Sequence, residues 1–498
     1  MPAGHGGCRL VFPGFIPPRA RTLGSPQMTC SNKTRPGVRG LVAALALGAG
    51  LLPVACRAPR GGPWVSPRPV SVGAVADANL ALPGTPGLPD PATPEACRGR
   101  RRDLARAAGD GLLLFAGGSE PERGRFLAQD DFHYLVGACG QDAVLLLLAE
   151  AGELIEVRLY LPAFDAHHER WNGPRLAPGE AATRQTGISD TRPLDQLAGD
   201  LDALLGTALP LTAGRAATTI CYAAGTALEI IEERGHSATS PRELLNPLQA
   251  VKSAGEMDAL RAAVRITCAS LADACAVALP GAFEYTAEAA IEGGFRRRGA
   301  AALAFPSICG AGPSTCILHY RENGRRLADG DLLIMDVGAK YLHYCADVTR
   351  TIPVNGRFTP RQREIYELVW QAQQRAAAAL RPGLTLRDID RVARDYLQQQ
   401  GYGAAFMHGV GHHLGLRVHD VPGFRGPFQA GMVVTVEPGI YLKEESLGVR
   451  IEDDYLITEE GAELLSGSIP SRWDLLEAYL AKIRVNSDSP APPSQPME

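Results

Sequence analysis

The sequence has no long run of basic residues, and its net charge is −4 at pH 7. Both facts exclude nucleic acid from the expected partners. Lysine is scarce: five of the fifty Lys and Arg residues are lysine, a skew read here as codon bias. No CxxC pair occurs among the eleven cysteines, which argues against a thiolate zinc module. The chain also lacks the HExxH signature of a helical zinc site. His408 and His412 have the right spacing, but "GVG" lies between them, which is poor helix material and carries no glutamate. The apolar run from Leu41 to Leu52 is too short for a good membrane span.

What is present divides the chain. At 498 residues it is too long for one core. From Met28, a second candidate start, Lys33, Arg35 and Arg39 precede the apolar run, and "LLPVAC" ends at Cys56. This is the layout of a signal peptide, and Cys56 resembles a lipidated residue. The expectation is a leader over 1–56 and an exported protein, periplasmic or held at a membrane through that N-terminal anchor alone. It is cytoplasmic if the leader is not a signal. Residues 57–95, rich in Pro, Gly, Ala and Val, read as a flexible linker. Apolar runs at 110–118, 142–162 and 209–214 alternate with a helical pattern at 194–206, which predicts a small α/β domain over 96–245. Amphipathic helices are predicted at 253–281, 285–299, 360–380 and 385–401, and strands at 331–337, 343–354, 432–442 and 448–457. They form a second domain over 246–482, followed by a disordered tail over 483–498. Export would permit some cysteines to pair, whereas Cys268 and Cys275 read as buried free thiols.

The second domain carries acids where acids are costly. Asp336 ends an apolar strand and Asp347 sits in the next. Glu437 ends another strand, and Glu452 shares a strand face with Arg450. A buried carboxylate protonates unless a cation meets it. One such residue is ordinarily a strand-end salt bridge. Four of them, beside the histidine-rich "FMHGVGHHLGLRVHD" (406–420), point to divalent metal. An oxygen-rich donor set suits Mn²⁺, Co²⁺ or Zn²⁺.

The segments "CILHYREN", "IMDVGAKYLHYCADVTRTIPVNGRF", "FMHGVGHHLGLRVHD", "GMVVTVEPGIY" and "VRIEDDYLIT" together resemble the M24 metallopeptidases of pita-bread fold, and among them the aminopeptidase P type. "QDDFHYLVG" and "ERWNGPRL" resemble that type's N-terminal domain. The resemblance spans roughly residues 97–480 and implies an α/β (α+β) architecture: a small N-terminal domain, then a pita-bread catalytic domain. It implies two divalent ions, with Mn²⁺ the first choice, held by Asp336, Asp347, His412, Glu437 and Glu452. It also implies release of the first residue from peptides with proline second. Catalytic roles fall on His319, His408, His419, Glu437 and Arg450, and substrate contacts on His408, His419, Tyr441 and Trp171. Trp171 matches a residue that reaches a neighbouring subunit's site in oligomeric relatives, so a dimer or tetramer is expected. His413 is expected to be structural. His133, His167, His168, His236 and His343 receive no catalytic role. Two alternatives stay open: an Xaa-Pro dipeptidase with the same ligands, and a non-catalytic peptide-binding relative.

Overall fold

The computed structural model describes residues 88, 90–119, 126–206, 231 and 239–487. The leader with Met28 and Cys56, most of the 57–95 linker, the 209–214 run, His236 and the tail from 488 onward lie outside the described residues. Among the described residues no helix is long and apolar enough to cross a membrane.

The N-terminal domain is built on a four-stranded sheet in the order β1 (Gly111–Ala116), β2 (Val144–Glu150), β3 (Glu153–Leu161), β4 (Asp190–Pro193). The first three strands are antiparallel and β4 joins β3 in parallel. β2 reads "VLLLLAE", with no polar alternation until its last residue, because both of its faces are buried. Leu145 and Leu147 face the main core. Val144, Leu146 and Leu148 face a second cluster with Leu112, Tyr160 and Leu201. Ala151 and Gly152, both at positive φ, form the two-residue turn joining β2 to β3.

The second domain packs helices around short sheets. Helix Ala254–Val277 starts at Ser253, whose backbone N–H and hydroxyl both donate to the Glu256 carboxylate. Helix Glu284–Arg297 packs against it. Next come β5 (Ala302–Leu303), β6 (Ile308–Ala311), β7 (Leu332–Val337), β8 (Ala339–Tyr341), β9 (Tyr344–Cys345) and β10 (Val348–Pro353). β7 is the centre of the sheet β10-β7-β6. Helices Pro360–Ala379 and Leu386–Gln399 follow, capped by Thr359 and Thr385. The chain then forms β11 (Val433–Val436), β12 (Gly439–Leu442), β13 (Leu447–Arg450), β14 (Asp453–Ile457) and β15 (Ala462–Leu464). β14 is the centre of the sheet β11-β14-β15, and β12 pairs with β13.

Several expectations are corrected. The run 432–442 is two strands broken at Glu437-Pro438, and 448–457 is two strands broken at Ile451-Glu452. The broken residues leave their ladders to bond elsewhere: the Glu437 N–H donates to the Val410 carbonyl, and the Glu452 N–H to that of Thr349. Likewise 343–354 is interrupted at Ala346-Asp347, where Gly338 lies so close that any Cβ would run into the Ala346 carbonyl oxygen. Thus Asp347, Glu437 and Glu452 sit at strand interruptions and not within strands. Helix Trp473–Ser487 runs through part of the expected tail, and Ile483 is buried. All seven described cysteines are free, Cys268 and Cys275 among the buried ones.

Candidate metal centre

Three carboxylates are brought together by β7 and the two breaks flanking it in space. Asp336 is the fifth residue of β7, paired across to Thr349 on β10, and Asp347 immediately precedes β10. Glu452 joins them because its N–H bonds to Thr349. Each acid has one oxygen in a distinct state. Asp336 Oδ2 accepts from Arg450 Nη2 at 2.5 Å, and Glu452 Oε2 accepts from the Thr349 hydroxyl at 2.7 Å. Asp336 Oδ1, Asp347 Oδ1 and Glu452 Oε1 are buried with no hydrogen-bond partner. Unpartnered buried carboxylate oxygens cost free energy, so three in one place call for cations.

The 406–420 loop supplies the imidazole. The Leu414 N–H donates to the Val433 carbonyl, and the Thr435 N–H to that of His412, so β11 fixes the loop. Gly411 is required there, since a Cβ would collide with the Thr435 carbonyl oxygen. His412 Nδ1 lies 3.1 Å from the His413 carbonyl oxygen. That contact assigns the proton to Nδ1 and leaves the Nε2 lone pair facing the acids. Nε2 is 3.4 Å from Asp347 Oδ2 and 3.5 Å from Glu437 Oε1. Asp347, His412 and Glu452 each offer a ligand atom, and these atoms lie within 4.8 Å of one another. The residues therefore fit divalent cations by donor type, by proximity and by their unpartnered oxygens.

Electrostatics agree. Burial, then the like charges of Asp336 and Glu437, push the Asp347 carboxyl well above the carboxylate range. Burial and Asp347 do the same to Glu452. Burial raises Glu437, with His412 and Arg450 opposing. Cations in the cluster would reverse these shifts.

All five expected ligands line one cavity of about 550 Å³, together with His319, His408, His419 and Arg450. His419 stands edge-on to His412, with ring centroids 4.4 Å apart. Burial pushes His408 down to about 4, so it is neutral near pH 7. Both its nitrogens are engaged: Nδ1 with the Gly409 carbonyl at 2.8 Å and Nε2 with the Tyr441 hydroxyl at 2.8 Å. Contact with a substrate requires it to exchange one of those bonds. Tyr441 stands otherwise than expected. It does not line the cavity, and it is 5% exposed behind the wall, where its oxygen accepts from Arg450 Nη1 at 2.9 Å. It orients Arg450 and His408. Trp171 is 74% exposed on helix Ala166–Asn172 and does not line this cavity either.

His413 faces away, buried edge-on to the Phe424 and Phe428 rings. His133 and His343 stack on each other, with ring centroids 3.6 Å apart. Reading the sequence alone missed three supports. Asp454, fully buried, accepts the Asp347 N–H. Asp390 and Arg394 form an ion pair that accepts the Val410 N–H and donates to the Phe406 and His408 carbonyls. Arg321 lines the cavity. The acid triplet "EDD" was the one available signal, for Asp454.

Residues 258–459 match the profile described as Metallopeptidase family M24, and residues 97–210 the one described as Aminopeptidase P, N-terminal domain. The chain is 35% identical over 401 residues to the Xaa-Pro aminopeptidase of Haemophilus influenzae, covering 72% of this chain and 90% of that one. To the Escherichia coli Xaa-Pro aminopeptidase it is 33% identical over 393 residues, covering 71% and 89%. Similarity to the Xaa-Pro dipeptidase of Pyrococcus furiosus is 37% over 228 residues, covering 45% and 65%. Among solved structures, proline aminopeptidase P II from Yersinia pestis superposes with a TM-score of 0.69 at 31% identity, covering 78% of this chain and all of that one. Zinc-substituted E. coli aminopeptidase P in complex with product gives 0.69 at 29%, covering 79% and 99%.

Proposed function

The chain belongs to metallopeptidase family M24, with an aminopeptidase P N-terminal domain ahead of the catalytic one, and from that premise we propose that it releases the first residue from peptides whose second residue is proline. The observation that carries this reading is the cluster of Asp336, Asp347, His412, Glu437 and Glu452, with its three buried, unpartnered oxygens. These five residues would hold two divalent ions, Mn²⁺ being the first choice for an oxygen-rich set, with Co²⁺ or Zn²⁺ next. Such a pair supplies Lewis-acid polarisation of a carbonyl and a water acidified toward neutral pH.

The chain's own residues do the rest. Glu437, raised by burial, is suited to hold a proton and pass it on. Arg450 fixes Asp336, and Tyr441 keeps Arg450 and His408 in place. His319 and His419 flank the reacting carbonyl. Phe305, Pro306, Ile308, Leu318 and Val418 form an apolar wall for a proline ring. An X-Pro bond has no N–H, so a site without an acceptor for that proton loses nothing by binding it.

The second reading, Xaa-Pro dipeptidase, is favoured by the similarity to the Pyrococcus relative. The match over 97–210 to the aminopeptidase P N-terminal domain favours the first. A panel of Ala-Pro, Ala-Pro-Ala and Ala-Ala-Ala decides: cleavage of Ala-Pro-Ala only, or with Ala-Pro, supports the aminopeptidase. Cleavage of Ala-Pro alone assigns a dipeptidase. The proposal extends to export through the 28–56 leader, checked by labelling of Cys56 with a fatty acid. It extends also to an oligomer in which the exposed Trp171 meets a neighbour, checked by sedimentation of the wild type and Trp171→Ala.

A further inference from the structure

The cavity is lined by charges of both signs. Asp336, Asp347, Glu437 and Glu452 form its acidic part, and two guanidinium groups line it, those of Arg450 and Arg321. Arg450 is buried and occupied, bonded to Asp336 and Tyr441. Arg321 is exposed and makes no hydrogen bond or ion pair among the described residues.

An exposed arginine is ordinarily a solvated surface charge. Two observations set this one apart. First, its backbone is pinned on both sides. The Tyr320 hydroxyl donates to Glu284 at 2.9 Å. Buried Asn323 accepts the Cys309 N–H and donates to Glu288 and the Ser307 carbonyl. The Arg325 N–H donates to Glu284 at 2.7 Å. Second, the neighbours alternate. Tyr320 turns into the protein, while His319 and Arg321, two positions apart, both line the cavity. A pinned loop thus presents a free planar cation to the space a peptide would fill.

Resting on the proposed activity, we infer that Arg321 is a specificity-determining residue that recognises a carboxylate on the proline side of the scissile bond, in the first place the C-terminal carboxylate of a short substrate. A peptide is a dipole with an ammonium at one end and a carboxylate at the other. With the acidic cluster committed to the metal ions, Arg321 is left among the described cavity-lining residues to meet the carboxylate. A guanidinium binds carboxylate through two parallel N–H donors, which gives direction as well as charge. An acidic side chain one residue beyond proline offers the same chemistry from a second source.

The test compares the Mn²⁺-loaded wild type, Arg321→Gln and Arg321→Lys on three substrates: Ala-Pro-Ala, Ala-Pro-Ala amide and Ala-Pro-Asp amide. The wild type is expected to favour the free acid over the amide on the order of tenfold in kcat/KM, mostly through KM, the worth of one charge-assisted hydrogen bond. Arg321→Gln brings the two within twofold in kcat/KM, by lowering that on the free acid. Arg321→Lys retains part of the preference, and added salt weakens it in the wild type. Preference for Ala-Pro-Asp amide over Ala-Pro-Ala amide adds the side chain as a source of the carboxylate. Equal rates for the two amides restrict recognition to the C-terminus. Acid and amide cleaved alike by the wild type, or a preference that survives in Arg321→Gln, would overturn the inference while leaving the aminopeptidase reading intact. Cleavage of none of the three would overturn that reading itself.

Discussion

Four histidines within twelve residues divide by what each ring touches. His412 keeps the Nε2 lone pair toward the acids because its Nδ1–H donates to the His413 carbonyl. His413, its neighbour, is packed between Phe424 and Phe428 with Nδ1 buried and unpartnered. His412→Ala should lose bound metal and activity together, whereas His413→Phe should keep both; elemental analysis of the purified variants checks this, and equal metal loss in the two would contradict the assignment. Burial also pushes His413 down to about 4 from its ordinary 6.5. It stays neutral in the folded chain down to that pH. Below pH 6.5 the unfolded chain binds a proton that the folded chain refuses, so stability falls on acidification from about 6.5 to about 4. His413→Phe removes this contribution, at most about 3 kcal/mol. Denaturant unfolding at pH 7 and pH 4.5 should show a smaller drop for the variant than for the wild type.

At the scale of elements, the active-site loop is held by a pair remote in sequence. Lys252 Nζ lies 3.1 Å from Asp420 Oδ2, with both side chains 1% exposed. Lys252→Met leaves buried Asp420 with only the more distant Arg417, 3.9 Å away, as a cation, and should cost up to about 3 kcal/mol in unfolding free energy. Lys252→Met with Asp420→Leu should recover most of it, since an apolar pair replaces a buried ion pair at little cost. A double variant no more stable than the single one would show that the loop is held elsewhere. This pair also illustrates what a sequence does and does not display. The helix start at Ser253 was legible, because its capping box with Glu256 acts within three residues. The five expected ligands were legible through their motifs, and the chain places all of them around one cavity. The strand end at Glu437 was legible before Pro438, but the break at Glu452 was not, because it arises from a bond to Thr349, far away in sequence. The bonds of Tyr441 to Arg450 and His408 were not legible for the same reason, since no local spacing reveals them.

At the scale of the molecule, the N-terminal domain grips the same loop. Arg417 donates to Asp131 at 2.5 Å, Gln249 donates to Asp131 at 2.9 Å, and Lys340 pairs with Asp130 at 2.8 Å. The loop that bears His412 is thus held from below by Lys252 and across the domain boundary by Asp131. Metal binding should stabilise the whole assembly, because ions that bind only the folded state raise its unfolding temperature by mass action. The most direct test of the account is a Mn²⁺ titration of chelator-treated protein, following Ala-Pro-Ala hydrolysis and melting temperature together. The account predicts no turnover without metal, and a rise in rate and melting temperature that saturates near two ions per chain. Full turnover in the metal-free protein, or no turnover with Mn²⁺, Co²⁺ or Zn²⁺, would contradict it.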